Sequence, residues 1–156
     1  MYDIAIIGAG ASGLFAASLL QKHTHKKICL IDNNPKIGAK IKVSGGGKCN
    51  ITNKYLSSSH YVADPQFLNQ VFSQFDQLSL LDFLRSQHLI PTLNEKIVKG
   101  TYFCNSSEDL ISLFSKLITR CDLYLEHKVD DVIYTDDHFS ILFNNNKQIR
   151  SKKLIV

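Results

Sequence analysis

Tyr2-Asp3-Ile4-Ala5-Ile6-Ile7-Gly8-Ala9-Gly10-Ala11-Ser12-Gly13 is the stretch on which the fold turns. Its first six residues form a nearly continuous apolar run, the pattern of a strand buried on both faces of a parallel sheet. Three glycines follow at the spacing G-x-G-x-x-G. From residue 13 to about residue 22, Leu14, Phe15, Ala17, Leu19 and Leu20 supply the apolar surface of a helix. Ile28-Cys29-Leu30-Ile31 is a second buried strand, and it ends at Asp32, 19 residues beyond Gly13. Strand, helix and strand within ~30 residues make a βαβ unit, whose crossover is expected to be right-handed.

Each part of this order has a chemical use. Gly8 permits a tight turn, Gly10 lets the backbone approach a pyrophosphate, and Gly13 lets the helix pack closely on the strand. The helix then turns its unpaired N–H groups and the positive end of its dipole toward the phosphates. Asp32, at the end of the second strand, is placed to accept hydrogen bonds from ribose hydroxyls and to repel a 2′-phosphate. A glycine-rich turn packed for steric reasons alone leaves Asp32 unexplained. The whole order predicts a dinucleotide site.

A second glycine-rich segment reads Ser44-Gly45-Gly46-Gly47-Lys48-Cys49-Asn50. Three consecutive glycines bury no side chain and cost backbone entropy to order, so the segment is not core. On its own it is equally well a hinge or a tight turn. Its place after the Asp32 strand, on the side of the sheet where such folds bind ligands, favours a lining role. Lys40, Lys42 and Lys48 surround it as counter-charges for phosphate, and Asn50, Thr52 and Asn53 add hydrogen-bonding capacity.

The remainder reads as a helical insertion followed by strands. Residues 33–62 are expected to be mostly loop. Asp64-Pro65 is an N-cap followed by proline at the first helical position, with Phe67, Leu68, Val71, Phe72 and Phe75 as the helical stripe. A further helix is expected over 78–87, and short strands and turns around Gly100 over 91–104. Ser106 and Asp109 form a capping box, with Asp in place of the usual Glu or Gln, that opens a helix through Leu110, Leu113, Phe114, Leu117 and Ile118. Strands are expected over 123–126, 129–135, 139–143 and from 154 onward, with Asn144-Asn145-Asn146 as a hairpin turn. Lys153-Leu154-Ile155-Val156 reads as a strand returning to the parallel sheet.

Composition bounds these readings. A chain of 156 residues, 44% hydrophobic and 21% charged, fits one soluble globular domain with a respectable core. The net charge of +4 is mild and its basic residues are interleaved with acidic ones, which argues against a nucleic-acid partner. No apolar stretch approaches the ~20 residues of a membrane span, and no signal peptide opens the chain, so a cytoplasmic location is expected without a membrane partner. Cys29, Cys49, Cys104 and Cys121 are widely separated, which points to reduced thiols rather than a disulfide framework or zinc site. No second cysteine follows Cys49 within reach in sequence, so it reads as a buried or loop-ordering thiol. His23 and His25 lie among Lys22, Lys26 and Lys27, whose charge disfavours a metal. His60, His88, His127 and His138 are single histidines without recognisable partners. No residue is assigned a catalytic role.

Three segments together, Gly8 to Gly13, Gly38-Ala39-Lys40, and Val43 to Asn53, make the chain resemble the YhiN-type flavoproteins. These are also described as the aminoacetone-oxidase family of NAD(P)/FAD-dependent oxidoreductases. The string Ser-Gly-Gly-Gly-[Arg/Lys]-Cys-Asn-x-Thr-Asn is highly specific to that family. The resemblance covers the whole chain but only about the first two-fifths of a family member. It implies a Rossmann-like FAD-binding α/β fold: a parallel sheet with a βαβ start, a helical insertion and an antiparallel β meander, incomplete at the C-terminus. It implies FAD rather than NAD at the first site, with NAD(P)H as an electron donor in full-length members. The cofactor contacts it implies are Gly8, Ala9, Gly10, Ala11, Ser12, Gly13, Asp32, Asn33 and Lys40, together with Ser44, Gly45, Gly46, Gly47, Lys48, Cys49 and Asn50. Departures from the family pattern are Ala39 for a basic residue, Lys48 for arginine, and Cys104 for a frequent proline. Lys48 keeps the charge but loses the bidentate fork.

In that family the final strand leads into an Ala-Thr-Gly-like turn beside the cofactor, then a substrate-side domain and a C-terminal segment closing over the flavin. Residues 1–156 therefore read as a partial cofactor-binding domain, a fragment or the product of an interrupted gene, with exposed sheet edges prone to association. Three functional readings follow: the FAD-binding N-terminal part of a flavin-dependent oxidoreductase, a non-catalytic nucleotide-binding module, or an inactive remnant.

Overall fold

The structure, a computed structural model, describes residues 1–96 and 99–156. In chain order its strands and helices are β1 (Tyr2–Ile7), α1 (Ala11–His23), β2 (Ile28–Ile31), α2 (Ala39–Val43), β3 (Asn50–Asn53), α3 (Pro65–Gln74), α4 (Gln77–Ser86), β4 (Thr92–Asn94), β5 (Thr101–Phe103), α5 (Ser107–Leu117), β6 (Asp122–Tyr124), β7 (Val129–Thr135), β8 (His138–Phe143) and β9 (Gln148–Ile155). Two 3₁₀ turns, Ser44–Gly47 and Ser58–His60, lie between α2 and α3. The chain divides into two compact units, Met1–Ile41 with Phe114–Val156, and Lys42–Leu113.

The first unit is built on a six-stranded sheet in the order β6-β2-β1-β9-β8-β7. β6, β2, β1 and β9 run parallel, while β9, β8 and β7 form an antiparallel meander. β1 and β2 occupy interior positions of the sheet and are buried along almost their whole length, which explains their unbroken apolar sequences. α1 packs on them through Leu14 and Ala17, both fully buried. A separate cluster of Ala5, Cys29, Ile31, Ile141 and Phe143 joins the parallel strands to the meander. Each large aliphatic side chain so enclosed contributes about 1.5–3 kcal/mol relative to exposure.

At the start of β1 the Tyr2 hydroxyl donates to Asp122 Oδ2 at 2.6 Å and lies 2.9 Å from the Tyr124 hydroxyl. Arg120 donates from its guanidinium to the carbonyls of Gln21 and Thr24, closing the last turn of α1. The second unit contains a three-stranded antiparallel sheet, β3-β5-β4, together with α3 and α4. Asp64 Oδ1 accepts the Phe67 N–H at 2.8 Å with Pro65 in the first turn, and Asp76 Oδ1 accepts the Ser79 N–H at 2.8 Å.

The Rossmann-like α/β fold, its βαβ start and its meander stand as expected from sequence. Residues 33–62 differ: they hold α2, both 3₁₀ turns and β3 rather than mostly loop. These elements are only three to five residues long, too short to carry a periodic apolar signal. β9 begins at Gln148 rather than at 154. Its burial is one-sided around Ser151, with Arg150, Lys152 and Lys153 on positions the apolar pattern does not mark. β6 ends at Tyr124, short of 126, because Glu126 takes a left-handed φ of 57°. The part of the 91–104 expectation that covers residues 97 and 98 lies outside the described residues.

Candidate functional site

The chain leaves β1 through Gly8, whose N–H donates to the Ile31 carbonyl at 2.7 Å and whose φ is +107°. Only glycine adopts that conformation without strain. Gly13 serves a different need. A Cβ on it would lie 1.8 Å from the Gly8 carbonyl oxygen, so the close packing of α1 on the loop requires its absence. Gly10 has neither reason. Its φ and ψ of −82° and −168° suit any residue, and a Cβ there would meet nothing within 4 Å.

Gly10 is also the N-cap of α1, and no side chain caps the helix. The first turn holds no acidic residue, and Ala11 and Ser12 are exposed. A 13-residue helix thus opens with uncapped N–H groups and the positive end of its dipole beside a glycine that leaves space for an incoming group.

Asp32 closes the other side of this loop. Its Oδ2 accepts the Ala9 N–H at 2.7 Å, and its Oδ1 accepts both the backbone N–H and the Nδ2 of Asn34 at 2.8 Å. The Ala9 carbonyl in turn accepts the Gly38 N–H at 2.8 Å. Partial burial is the largest influence on the Asp32 carboxyl and pushes its pKa up. The hydrogen bonds from Asn34 and Ala9, with the nearby charge of Lys40, outweigh burial and hold the pKa below its ordinary value. Three donors on a carboxylate with roughly four lone-pair directions leave room for a further hydroxyl. The backbone of Asp32 is fixed as well: its N–H donates to the Tyr124 carbonyl at 3.0 Å and its carbonyl accepts from His127 at 3.1 Å. His127 itself packs edge-on against Tyr124 and Phe143.

Within the first unit, Gly8, Ala9, Gly10 and Gly13 are thus brought together with Asp32. Asn33 is exposed, and Lys40, on α2, acts on Asp32 through its charge. Asn34 and Gly38 were not among the expected contacts, although both hold the loop. An Asp followed two residues later by its own hydrogen-bonding amide is an Asx turn, a signal present in the Asp32-Asn33-Asn34 sequence.

In the second unit, Ser44, Gly45, Gly46 and Gly47 form a 3₁₀ turn. Gly45, Gly46 and Gly47 have φ of 58°, 64° and 89°. The Cys49 N–H closes the turn onto the Ser44 carbonyl at 3.0 Å. A Cβ on Gly45 would lie 2.7 Å from Asn50 Oδ1, whereas Gly46 and Gly47 face open space. The Lys48 ammonium lies 5.6 Å from the centre of the Phe103 ring, a cation–π contact.

Cys49 is buried, as expected from sequence, and a cysteine that the sequence does not place near it lies beside it. The Cys104 N–H donates to the Cys49 carbonyl at 3.2 Å, because β3 and β5 bring together cysteines that are remote in sequence. Among the described residues, no group of three or more His, Cys, Asp or Glu is gathered as for a metal ion. No helix among them is long and apolar enough to cross a membrane.

Comparison with known proteins places this geometry. The model of a family described as the HI0933-like protein Rossmann domain matches residues 2–156. The ribosomal RNA dihydrouridine synthase of Haemophilus influenzae is 34% identical over 160 residues, covering 97% of this chain and 38% of that protein. The 3-dehydro-bile acid delta(4,6)-reductase of Clostridium scindens is 36% identical over 88 residues, 55% of this chain and 22% of that protein. The chain therefore spans well under half the length of these curated relatives. Among solved structures, the halogenase PltM in complex with phloroglucinol and FAD superposes with a TM-score of 0.55 at 15% identity. That match covers 98% of this chain and 33% of PltM.

Proposed function

The chain belongs to the HI0933-like Rossmann-domain family, and on that premise we propose that it is the FAD-binding portion of a flavin-dependent oxidoreductase. One observation carries the reading: Gly10 occupies a relaxed conformation in open space at an uncapped helix N-terminus, so the protein's own packing gives no reason for glycine there. A pyrophosphate approaching the backbone supplies that reason.

In this reading the loop from Gly8 to Gly13 holds the pyrophosphate through the N–H groups of α1. Asp32 uses its remaining acceptor capacity on the ribose of the adenosine half, held in place by Ala9 and Asn34. Asn33 and Lys40 are assigned to the same contact set, Lys40 by its charge. Ser44, Gly45, Gly46, Gly47, Lys48, Cys49 and Asn50 are proposed as further cofactor contacts, supported by the family resemblance and by the open space at Gly46 and Gly47. When bound, the flavin supplies the electron-transfer chemistry, and the protein positions it.

NAD(P)H is the electron donor we attach to the full-length protein. The two curated relatives are named for different substrates, a ribosomal RNA and a bile acid. The segment shared with this chain is therefore better assigned to cofactor than to substrate. On the interleaving of its charges, no nucleic-acid contact is proposed for residues 1–156, and a cytoplasmic location accompanies the reading.

The test uses the flavin's own fluorescence, since the chain contains no tryptophan. FAD is expected to bind at least about tenfold more tightly than FMN, a difference of about 1.4 kcal/mol, because FMN lacks the adenosine and pyrophosphate. Equal affinity for the two, or none for either, overturns the proposal.

A further inference from the structure

We propose that Cys49 and Cys104 are the two halves of a reversible disulfide that ties the triglycine turn to β5. The argument begins with register. β3 and β5 are antiparallel with Asn50 opposite Phe103, so the next pair outward is Cys49 opposite Cys104. Their backbones are joined by the Cys104 N–H to Cys49 carbonyl hydrogen bond at 3.2 Å. Residues joined as a hydrogen-bonded antiparallel pair have Cα atoms about 5.5 Å apart, within the roughly 4.4–6.8 Å that a disulfide accepts.

Local conformation adds a second argument. Cys49 has a φ of 51°, a left-handed conformation that a cysteine adopts only when its surroundings impose it. Those surroundings are the Ser44 carbonyl on one side of Cys49 and Cys104 on the other. Both side chains are buried. The Cys104 thiol also senses its partner: burial first, then the charge of Cys49, pushes it up to about 11.

The molecule carries its own comparison. Cys29 and Cys121 are also buried, but Cys29 stands opposite Asp122 rather than opposite Cys121, and Cys121 Sγ accepts from Gln21 Nε2 at 3.0 Å. That pair is offset in register, whereas the Cys49 thiol, which donates to the Asn50 carbonyl at 3.8 Å, belongs to a pair in register.

The step balances with a peroxide as oxidant. One thiolate attacks the O–O bond, giving a sulfenic acid and water. The second thiol then displaces the sulfenic oxygen as a second water, leaving an Sγ–Sγ bond. Two thiol hydrogens and two electrons pass to the peroxide. Because burial keeps both thiols protonated at neutral pH, the bond forms slowly and faster as pH rises. Once formed it is shielded from bulk thiols by the same burial.

The test treats the native chain with hydrogen peroxide, or with diamide as a second dithiol oxidant. Remaining thiols are then alkylated in denaturant, and peptides are mapped without reduction. The wild type and Cys29→Ser are expected to lose two hydrogens and yield one linked pair, Cys49 with Cys104, released by dithiothreitol. Cys49→Ser and Cys104→Ser are expected to yield no intramolecular link. Four alkylatable thiols in the oxidised wild type overturn the proposal, as does a Cys29–Cys121 link or a scatter of all pairings. The wild-type map decides the matter even where a serine variant fails to fold.

Discussion

The Ala9 amide donates to Asp32 Oδ2 at 2.7 Å across 23 residues of chain, so the glycine loop and the acid at the end of β2 form one hydrogen-bonded unit. The backbone and side-chain amides of Asn34 complete it on Oδ1. The acid is therefore a brace for the loop, in addition to the ribose contact proposed for it. Asp32→Asn replaces one acceptor oxygen with a donor facing another donor. It is expected to lower unfolding free energy by about 1–3 kcal/mol, read from urea denaturation.

The same brace sets an acid limit. The folded pKa of Asp32 lies below its ordinary value of 3.8, so its stabilisation is fully present above 3.8 and is lost as pH falls through the lower folded value. Asp76, which accepts the Ser79 amide, is shifted in the same direction. Urea midpoints measured from neutral pH downward are expected to stay level and then fall below about pH 3.8. The Asp32→Asn protein is expected to show a shallower fall over that range.

The three loop glycines separate by role. Gly13→Ala forces a Cβ toward the Gly8 carbonyl and is expected to cost about 1–3 kcal/mol of stability. Gly10→Ala is expected to cost no more than about 1 kcal/mol, the ordinary preference for glycine over alanine at an N-cap, since neither its conformation nor its neighbours object. Circular dichroism during urea titration of both variants checks the contrast.

A parallel contrast applies to the triglycine turn. Gly45→Ala combines a left-handed φ with a Cβ 2.7 Å from Asn50 Oδ1, whereas Gly46→Ala meets only the conformational cost of about 1–2 kcal/mol. Gly46→Asn is expected to recover much of that loss, because asparagine tolerates the left-handed region. Comparing thermal midpoints of the three variants tests the order.

What could be read from sequence was what neighbouring residues decide. β1 and β2 announce themselves by continuous apolar runs, α3 by Asp64 and Pro65, and the β8–β9 turn by three asparagines, of which Asn146 has a φ of 62°. What could not be read depends on partners far apart in the chain. Cys104 reaches Cys49 only through the β3–β5 pairing, and Gly38 reaches Ala9 only through the path of the chain after β2. The role proposed for Gly10 is legible as a motif. Its distinction from Gly8 and Gly13 lies in the fold, because only geometry shows which glycine the protein itself needs.

Equilibrium dialysis of FAD against the wild-type chain and Gly10→Ala, with unfolding measured on the same samples, tests the central claim most directly. The account predicts one FAD bound per wild-type chain, and affinity reduced at least about tenfold by Gly10→Ala in a chain that remains fully folded without denaturant. A folded wild-type chain that retains no FAD, or a Gly10→Ala chain that binds as tightly as wild type, contradicts it.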